Sequence, residues 1–282
     1  MEFNYPQHFL AQTDVQLADA VARSGLRTSA LNLRYEGPEF ARGAFTSPEA
    51  AVRERAIDLA KEAVERAAAL GAQHVILWMA DDGFDYPFQV DYARLWADEV
   101  EGFRRVAQHD PSVRVSVEYK PVDPRRFALI RSIGEALLAT RDVALPNFGV
   151  TLDVCHSLMA GEHPPAAATL ALSMGKLFGV HLNDGYGQAD DGLAVATVHR
   201  SATLELLGCL RRFGYDQTMY FDTFPVREDP VAECEANIAT VLELEAELDR
   251  LDLAALTEVQ ARHDAIAVQR LLSSASAPGR VG

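Results

Sequence analysis

Apolar and polar residues follow one recurring order along most of the chain: an amphipathic helix, a glycine, a short apolar strand, then polar residues. In AVRERAIDLAKEAVERAAALG the apolar positions return at helical spacing until Gly71, which stops the helix, and the run from Val75 to Met79 follows as a strand. The same order recurs where Gly25 precedes TSALNL, where Phe148 and Gly149 open VTLDVCH, where Lys176 to Gly179 open VHLND, and where Gly214 precedes MYFDTFP. Strands that are apolar on both faces and alternate with helices predict a parallel sheet covered by helices. Seven are expected: Glu2 to Tyr5, Thr28 to Leu33, His74 to Met79, Arg114 to Tyr119, Gly149 to Asp153, Gly179 to Leu182 and Met219 to Asp222.

Seven strands suit an open doubly wound sheet, whereas a closed α/β barrel takes eight. A chain of 282 residues is long enough for two domains, yet no linker-like stretch separates a second one. One domain is therefore expected over residues 1–248. Residues 249–282 read as a C-terminal helix, from about Leu253 to Leu272, and a disordered tail ending in SSASAPGRVG.

Composition narrows the partners. The net charge of -15 would repel a nucleic-acid backbone or an anionic membrane surface, and small solutes remain. The start MEFNYPQHFL lacks the features of a secretory signal, and no stretch reaches the about 18 consecutive apolar residues of a membrane span, so a cytoplasmic location is expected. Cys155, Cys209 and Cys234, odd in number and without a close pair, are expected to be buried thiols.

The candidate chemistry lies where strands end. In VSVEYKPVDPR, Glu118 and Lys120 stand two residues apart, hence on one face of a strand. Asp153, His181 and Asp222 close three later strands. Singly, these residues suit a surface carboxylate, a helix N-cap, a core histidine and a turn. In a parallel barrel, however, successive strand ends converge on one mouth, and three converging carboxylates with an imidazole call for a divalent ion such as Mn²⁺, Mg²⁺ or Co²⁺ to offset their repulsion.

From about Asn32 to Pro230, the segments NLRYEGPEFARGAFTS, HVILWMADDGFDY, VSVEYKPVDPR, TLDVCHSLMAG, GKLFGVHLND and YFDTFPVRED resemble, in order and spacing, the xylose isomerase-like barrels of the sugar isomerases and epimerases. The resemblance implies a parallel (β/α) TIM barrel whose first strand is lacking or remodelled. It implies Glu118, Asp153, His181 and Asp222 as metal ligands, with Glu118, Asp222 and Lys120 catalytic. Lys120 would hold the sugar oxygen at the reacting carbons, and Trp78 would wall the pocket. His156 resembles a second-metal ligand or substrate contact, with Asp153 bridging, and Asp190 and Asp191 stand nearest to the remaining ligands. His8 falls near a position that contacts substrate.

Two departures bear on specificity. Phe224 stands where xylose isomerases proper carry a lysine, and the histidine at 181 is the variant found in epimerase-like relatives. The implied function is a divalent-metal-dependent sugar isomerase or epimerase, forming a homodimer or tetramer. Two alternatives remain: a metal-dependent lyase acting on keto sugars or C-glycosides with a small partner subunit, or a non-catalytic sugar-binding barrel. Against the lyase, Ser116 stands where such relatives carry a histidine. With one strand missing, the edges at Glu2 to Tyr5 and Met219 to Asp222 are expected to close directly, or to be covered by a partner subunit or the C-terminal helix.

Overall fold

Apolar residues that the sheet turns outward, towards its helices, build the core. Leu31, Leu33, Val75, Leu77, Val115, Val117, Val150, Leu152, Val180 and Leu182 are all buried there. They lie on the five inner strands of a seven-stranded sheet made of β1 (Glu2–Tyr5), β2 (Ala30–Arg34), β3 (His74–Trp78), β5 (Arg114–Glu118), β7 (Phe148–Asp153), β8 (Leu177–Leu182) and β9 (Met219–Phe221), beside which stands a two-stranded ribbon of β4 (Gly83–Phe84) and β6 (Phe127–Ala128). The computed structural model describes residues 1–276.

The seven main strands pair in parallel in the order β1-β2-β3-β5-β7-β8-β9, a sheet curled into a half-barrel, and their observed ends lie within about two residues of those expected. The sequence pattern did not reveal the ribbon. It pairs the loops that follow β3 and β5, with Phe84 stacked on Phe127. Gly83 is what permits it, since a Cβ there would lie 2.2 Å from the Phe127 carbonyl oxygen.

Helices α1 (Asp14–Ser24), α2 (Ala50–Ala69), α3 (Tyr92–His109), α4 (Ile133–Val143), α5 (Val154–Met159), α6 (Pro164–Ser173), α7 (Arg200–Arg212) and α8 (Pro230–Arg250) separate or follow the strands. Their caps are local chemistry: Thr13 and Gln16 form a capping box on α1, Ser132 caps α4, and Asp229 caps α8 ahead of Pro230. α2 buries Ala56, Ala60, Ala63, Val64 and Ala67 on one stripe against the sheet.

The inward face of the sheet is polar instead. Register places Glu2 beside Ala30, Asn32 beside Ile76, Ile76 beside Ser116, Glu118 beside Thr151, Asp153 beside His181, and His181 beside Tyr220. His74 Nε2, Ser116 Oγ and Thr151 Oγ1 form a buried chain of hydrogen bonds, 2.7 Å at each step, below the strand ends. Burial lowers the His74 pKa to about 3, with Arg114 and His181 adding to the effect, so its ring is neutral.

Several expectations need correcting. Of the three cysteines only Cys155 is buried; Cys209 is half-buried and Cys234 exposed, because α8 turns residue 234 to solvent. The C-terminal segment forms two helices, α9 (Leu253–Ala261) and α10 (Ala265–Ser276), so Ser273 to Ser276 are helical; the rest of the tail, 277–282, lies outside the described residues. This segment does not fill the gap in the barrel. It docks on α8, where Arg250 Nε donates to the Ala275 carbonyl and the Ser276 hydroxyl to Glu247. No ladder joins β1 to β9 among the described residues. One ion pair spans that side instead: Glu2 Oε2 lies 3.2 Å from His181 Nε2.

Candidate metal centre

The polar inward row reaches its C-terminal end at Glu118, the last residue of β5, Asp153, the last of β7, His181 on β8 and Asp222, just beyond β9. Each offers one ligand atom, and these atoms all lie within 4.8 Å of one another. His181 Nδ1 is 3.5 Å from Glu118 Oε1, 3.6 Å from Asp222 Oδ2 and 4.0 Å from Asp153 Oδ2. Glu118, Asp153 and His181 are buried, while Asp222 retains 18% side-chain exposure at the mouth.

Strand ends alone do not hold these groups in place. Asp153 also caps α5, its Oδ1 accepting from the His156 N–H and its Oδ2 from Asn183 Nδ2, so the N-cap role and the cluster role coexist. Asn183 further ties Asp222 to the cluster by donating to its carbonyl. Asn32 Nδ2 donates to Glu118 Oε2 at 3.3 Å. Glu2, Asn32 and Asn183 were invisible to a search for ligands. The available signal was parity: Glu2 and Asn32 sit in register two rows apart on the inward face.

The electrostatics follow from confinement. Burial pushes the Glu118 carboxyl up, but the positive charges of His181, His156 and Arg34 overcome it and hold its pKa down at about 2. Burial raises Asp153 to about 7 against the pull of His156, with Asp222 and Glu118 adding to the rise. Burial disfavours a charged His156, yet Asp153, Asp190 and Glu118 raise it to about 9. His181 Nδ1 and His156 Nδ1 are buried without a hydrogen-bond partner, both aimed at carboxylates. Three carboxylates and an unfilled imidazole nitrogen make a donor set suited to a divalent ion.

A second cluster shares Asp153 and adds His156 and Asp190. His156 Nε2 is 3.1 Å from Asp190 Oδ2, and Lys120 Nζ lies 3.1 Å from the same oxygen and 3.2 Å from Asp123 Oδ2. Asp191, expected beside Asp190 as a ligand, is elsewhere: its Oδ2 accepts from the Tyr186 N–H and fixes the loop. Adjacent residues in this turn point apart. Gly192, at φ +55, lets the Phe224 ring lie against the loop, since a Cβ would come within 2.3 Å of that ring.

Trp78, half-buried at the end of β3, lies between two cations, with Lys120 Nζ and Arg34 Cζ each 5.3 Å from its ring centroid. It lines a pocket with Glu118, Lys120 and Ala128, the last from the ribbon. His8, expected as a substrate contact, is not at this mouth. It is exposed, its Nδ1 accepts from the Asn4 N–H, and its ring meets the edge of Phe3 on the helix-facing side of β1. A tight turn after Tyr5 carries it outward.

Comparison with known proteins agrees with this architecture. A family model described as a xylose isomerase-like TIM barrel matches residues 3–242. A xylose isomerase of Thermus thermophilus is 28% identical over 217 residues, which is 74% of this chain and 56% of that protein; the chain thus spans little more than half of this relative's length. Among solved structures, a D-tagatose 3-epimerase-like protein superposes with a TM-score of 0.66 at 17% identity, covering 83% of this chain and 84% of the other. D-psicose 3-epimerase with D-tagatose, from Clostridium cellulolyticum H10, gives 0.59 at 18% identity, covering 97% and 85%. At such identities the structural likenesses speak for the fold, and the family match extends through every strand of the half-barrel; the chain belongs to the xylose isomerase-like TIM barrel family.

Proposed function

We propose that the protein is a divalent-metal-dependent sugar isomerase or epimerase that uses the mouth of the half-barrel as its active site. The observation that carries this reading is the convergence of Glu118, Asp153, His181 and Asp222 with His181 Nδ1 buried and without a hydrogen-bond partner. The isomerase and epimerases among its relatives support the substrate class. Asp190 is already engaged by Lys120 and His156, which favours one ion at the four-residue cluster over two.

Bound there, Mn²⁺, Mg²⁺ or Co²⁺ supplies Lewis-acid polarisation of a substrate carbonyl. The chain supplies the rest. Nearby Asp190 and Asp123 overcome the burial of Lys120 and keep its ammonium charged, so it can donate to a sugar oxygen whose negative charge grows as the reaction proceeds. Asp222 is the more open carboxylate of the cluster and Glu118 the more enclosed, and β7 and β8 separate the strands that carry them. The pair can take a proton from a sugar carbon and return it from a second direction. The Trp78 ring offers an apolar wall to the sugar's C–H face. The Ser116 hydroxyl, held between His74 and Thr151, offers no support to the lyase alternative.

Calorimetry with Mn²⁺, Mg²⁺ and Co²⁺, joined to a screen of aldoses, ketoses and keto sugars with and without chelator, tests the reading. We expect one metal equivalent and chelator-sensitive turnover of at least one sugar. No metal binding, or turnover indifferent to chelator, would overturn it.

A further inference from the structure

Arg34 is the last residue of β2, in register with Trp78, and shares the inward parity of Asn32. It is half-buried, its guanidinium lies over Trp78, and its Nε is buried with no hydrogen-bond partner. The other cations of the mouth all face carboxylates: Lys120 faces Asp190 and Asp123, His156 faces Asp190 and Glu118, and His181 faces Glu2 and Glu118. Arg34 has no such partner among the described residues. Glu118 attracts it only from beyond ion-pair distance, and a half-buried guanidinium with no directly paired carboxylate is unfavourable.

Two further orphaned atoms stand on the same side of the mouth. Asn32 Oδ1 is buried and unpaired while its amide nitrogen holds Glu118. Gln7 Oε1 is likewise buried and unpaired while its amide nitrogen bonds the Arg34 carbonyl. Neither belongs to the metal cluster. A guanidinium donor with unpaired amide carbonyls on Asn32, two residues before it on β2, and on Gln7, bonded to the Arg34 backbone, matches a ligand carrying one anionic group on a hydroxylated carbon chain: the fork takes the anion and the carbonyls take hydroxyls.

We propose that Arg34, with Gln7 and Asn32, forms an anion-binding subsite beside Trp78, and that the substrate of this mouth is an acidic sugar, one bearing a carboxylate or a phosphate. The proposal deepens the isomerase or epimerase reading and rests on the same mouth being the substrate site. The chain's net charge of -15 opposes it only at long range, as a salt-screened slowing of approach, whereas selection occurs at contact with the guanidinium.

The test is a tryptophan-fluorescence titration of the metal-free protein, Trp78 being one of two tryptophans and the one beneath Arg34. The probes are gluconate, glucuronate, fructose 6-phosphate and neutral fructose. At least one anionic probe should bind tenfold or more tighter than fructose, and whether carboxylate or phosphate wins names the anion. Arg34→Met should erase that preference and Arg34→Lys restore part of it, while both keep the wild-type Mn²⁺ affinity, which also shows that they fold. Equal binding of all probes to the wild type, or an anion preference that survives Arg34→Met, overturns the proposal. Failure of the wild type to bind Mn²⁺ would overturn the metal-enzyme reading instead, and leaves this titration readable by itself.

Discussion

Two of the places where the molecule buries acidic groups treat them in opposite ways. Beneath the loop that follows β2, Asp82 accepts from the backbone N–H groups of Ala44, Phe45 and Thr46 and from the Thr46 hydroxyl. Beside it Glu99 is wholly buried, and burial together with the Asp82 charge raises its pKa well above the ordinary value of 4.5, so it stays neutral. At the barrel mouth, Glu118, Asp153 and Asp222 face imidazole nitrogens that have no partner. The first arrangement consumes its charge in holding a loop. The second turns donor atoms of four residues towards one point. Neither burial of an acid nor an unpaired oxygen marks a site by itself, since both Glu99 oxygens are unpaired too; the convergence of several donor atoms on one point does.

The comparison predicts where substitutions act. Glu118→Gln should bring the largest loss, Mn²⁺ affinity falling at least about a thousandfold and turnover vanishing, each tenfold being about 1.4 kcal/mol. The melting temperature should fall at neutral pH while the protein stays folded, because the positive charges of His181, His156 and Arg34 stabilise the Glu118 carboxylate in the folded state. Calorimetry showing normal Mn²⁺ affinity in this variant would break the contrast between the two acid clusters.

Lys120→Met should keep metal affinity and lose roughly a hundredfold in kcat/KM, measured on whichever sugar the screen identifies. It also frees an oxygen of Asp190. A second metal equivalent appearing in the titration would identify Lys120 as the group that keeps a second site from forming. Full activity would reduce Lys120 to a salt bridge.

Glu2 probes the opposite side of His181. With Nδ1 turned to the cluster, Nε2–H donates to Glu2, which fixes the ring's tautomer and orientation. Glu2→Ala should weaken Mn²⁺ binding about 10- to 100-fold, and Glu2→Gln, which keeps an acceptor oxygen, should recover most of it. Equal affinity in all three proteins would make the pair a mere tie across the open side of the barrel.

The smallest effect belongs to the loop-holding pair. The folded protein keeps on Glu99 a proton that the unfolded chain releases above about pH 4.5, so the stability tied to it is full below that pH and declines as pH rises towards the raised folded value. Glu99→Gln lacks this decline. Its melting temperature should exceed wild type by about 2 to 4 °C at neutral pH, with the gap closing on acidification and Mn²⁺ affinity unchanged. A gap independent of pH would mean that Glu99 is not held neutral.

The chain's periodicity was enough to place seven parallel strands and their helices, because strands buried on both faces and helices with one apolar stripe leave patterns within a few residues of each other. The same local rule located Glu118, Asp153, His181 and Asp222, since the polar residue ending an apolar run is visible in one dimension. What local pattern misread depends on direction and distance: His8, carried outward by its turn, Asp191, turned away from its neighbour Asp190, and the C-terminal helices, which dock on α8 instead of closing the barrel. Glu2, 179 residues from His181, and Arg34, over Trp78 with no direct ion pair among the described residues, acquire meaning only when the sheet curls and brings separate strands around one mouth. Sequence carries what is decided along a strand or around a helix; which lone pairs stay unspent is decided by neighbours that only tertiary packing supplies.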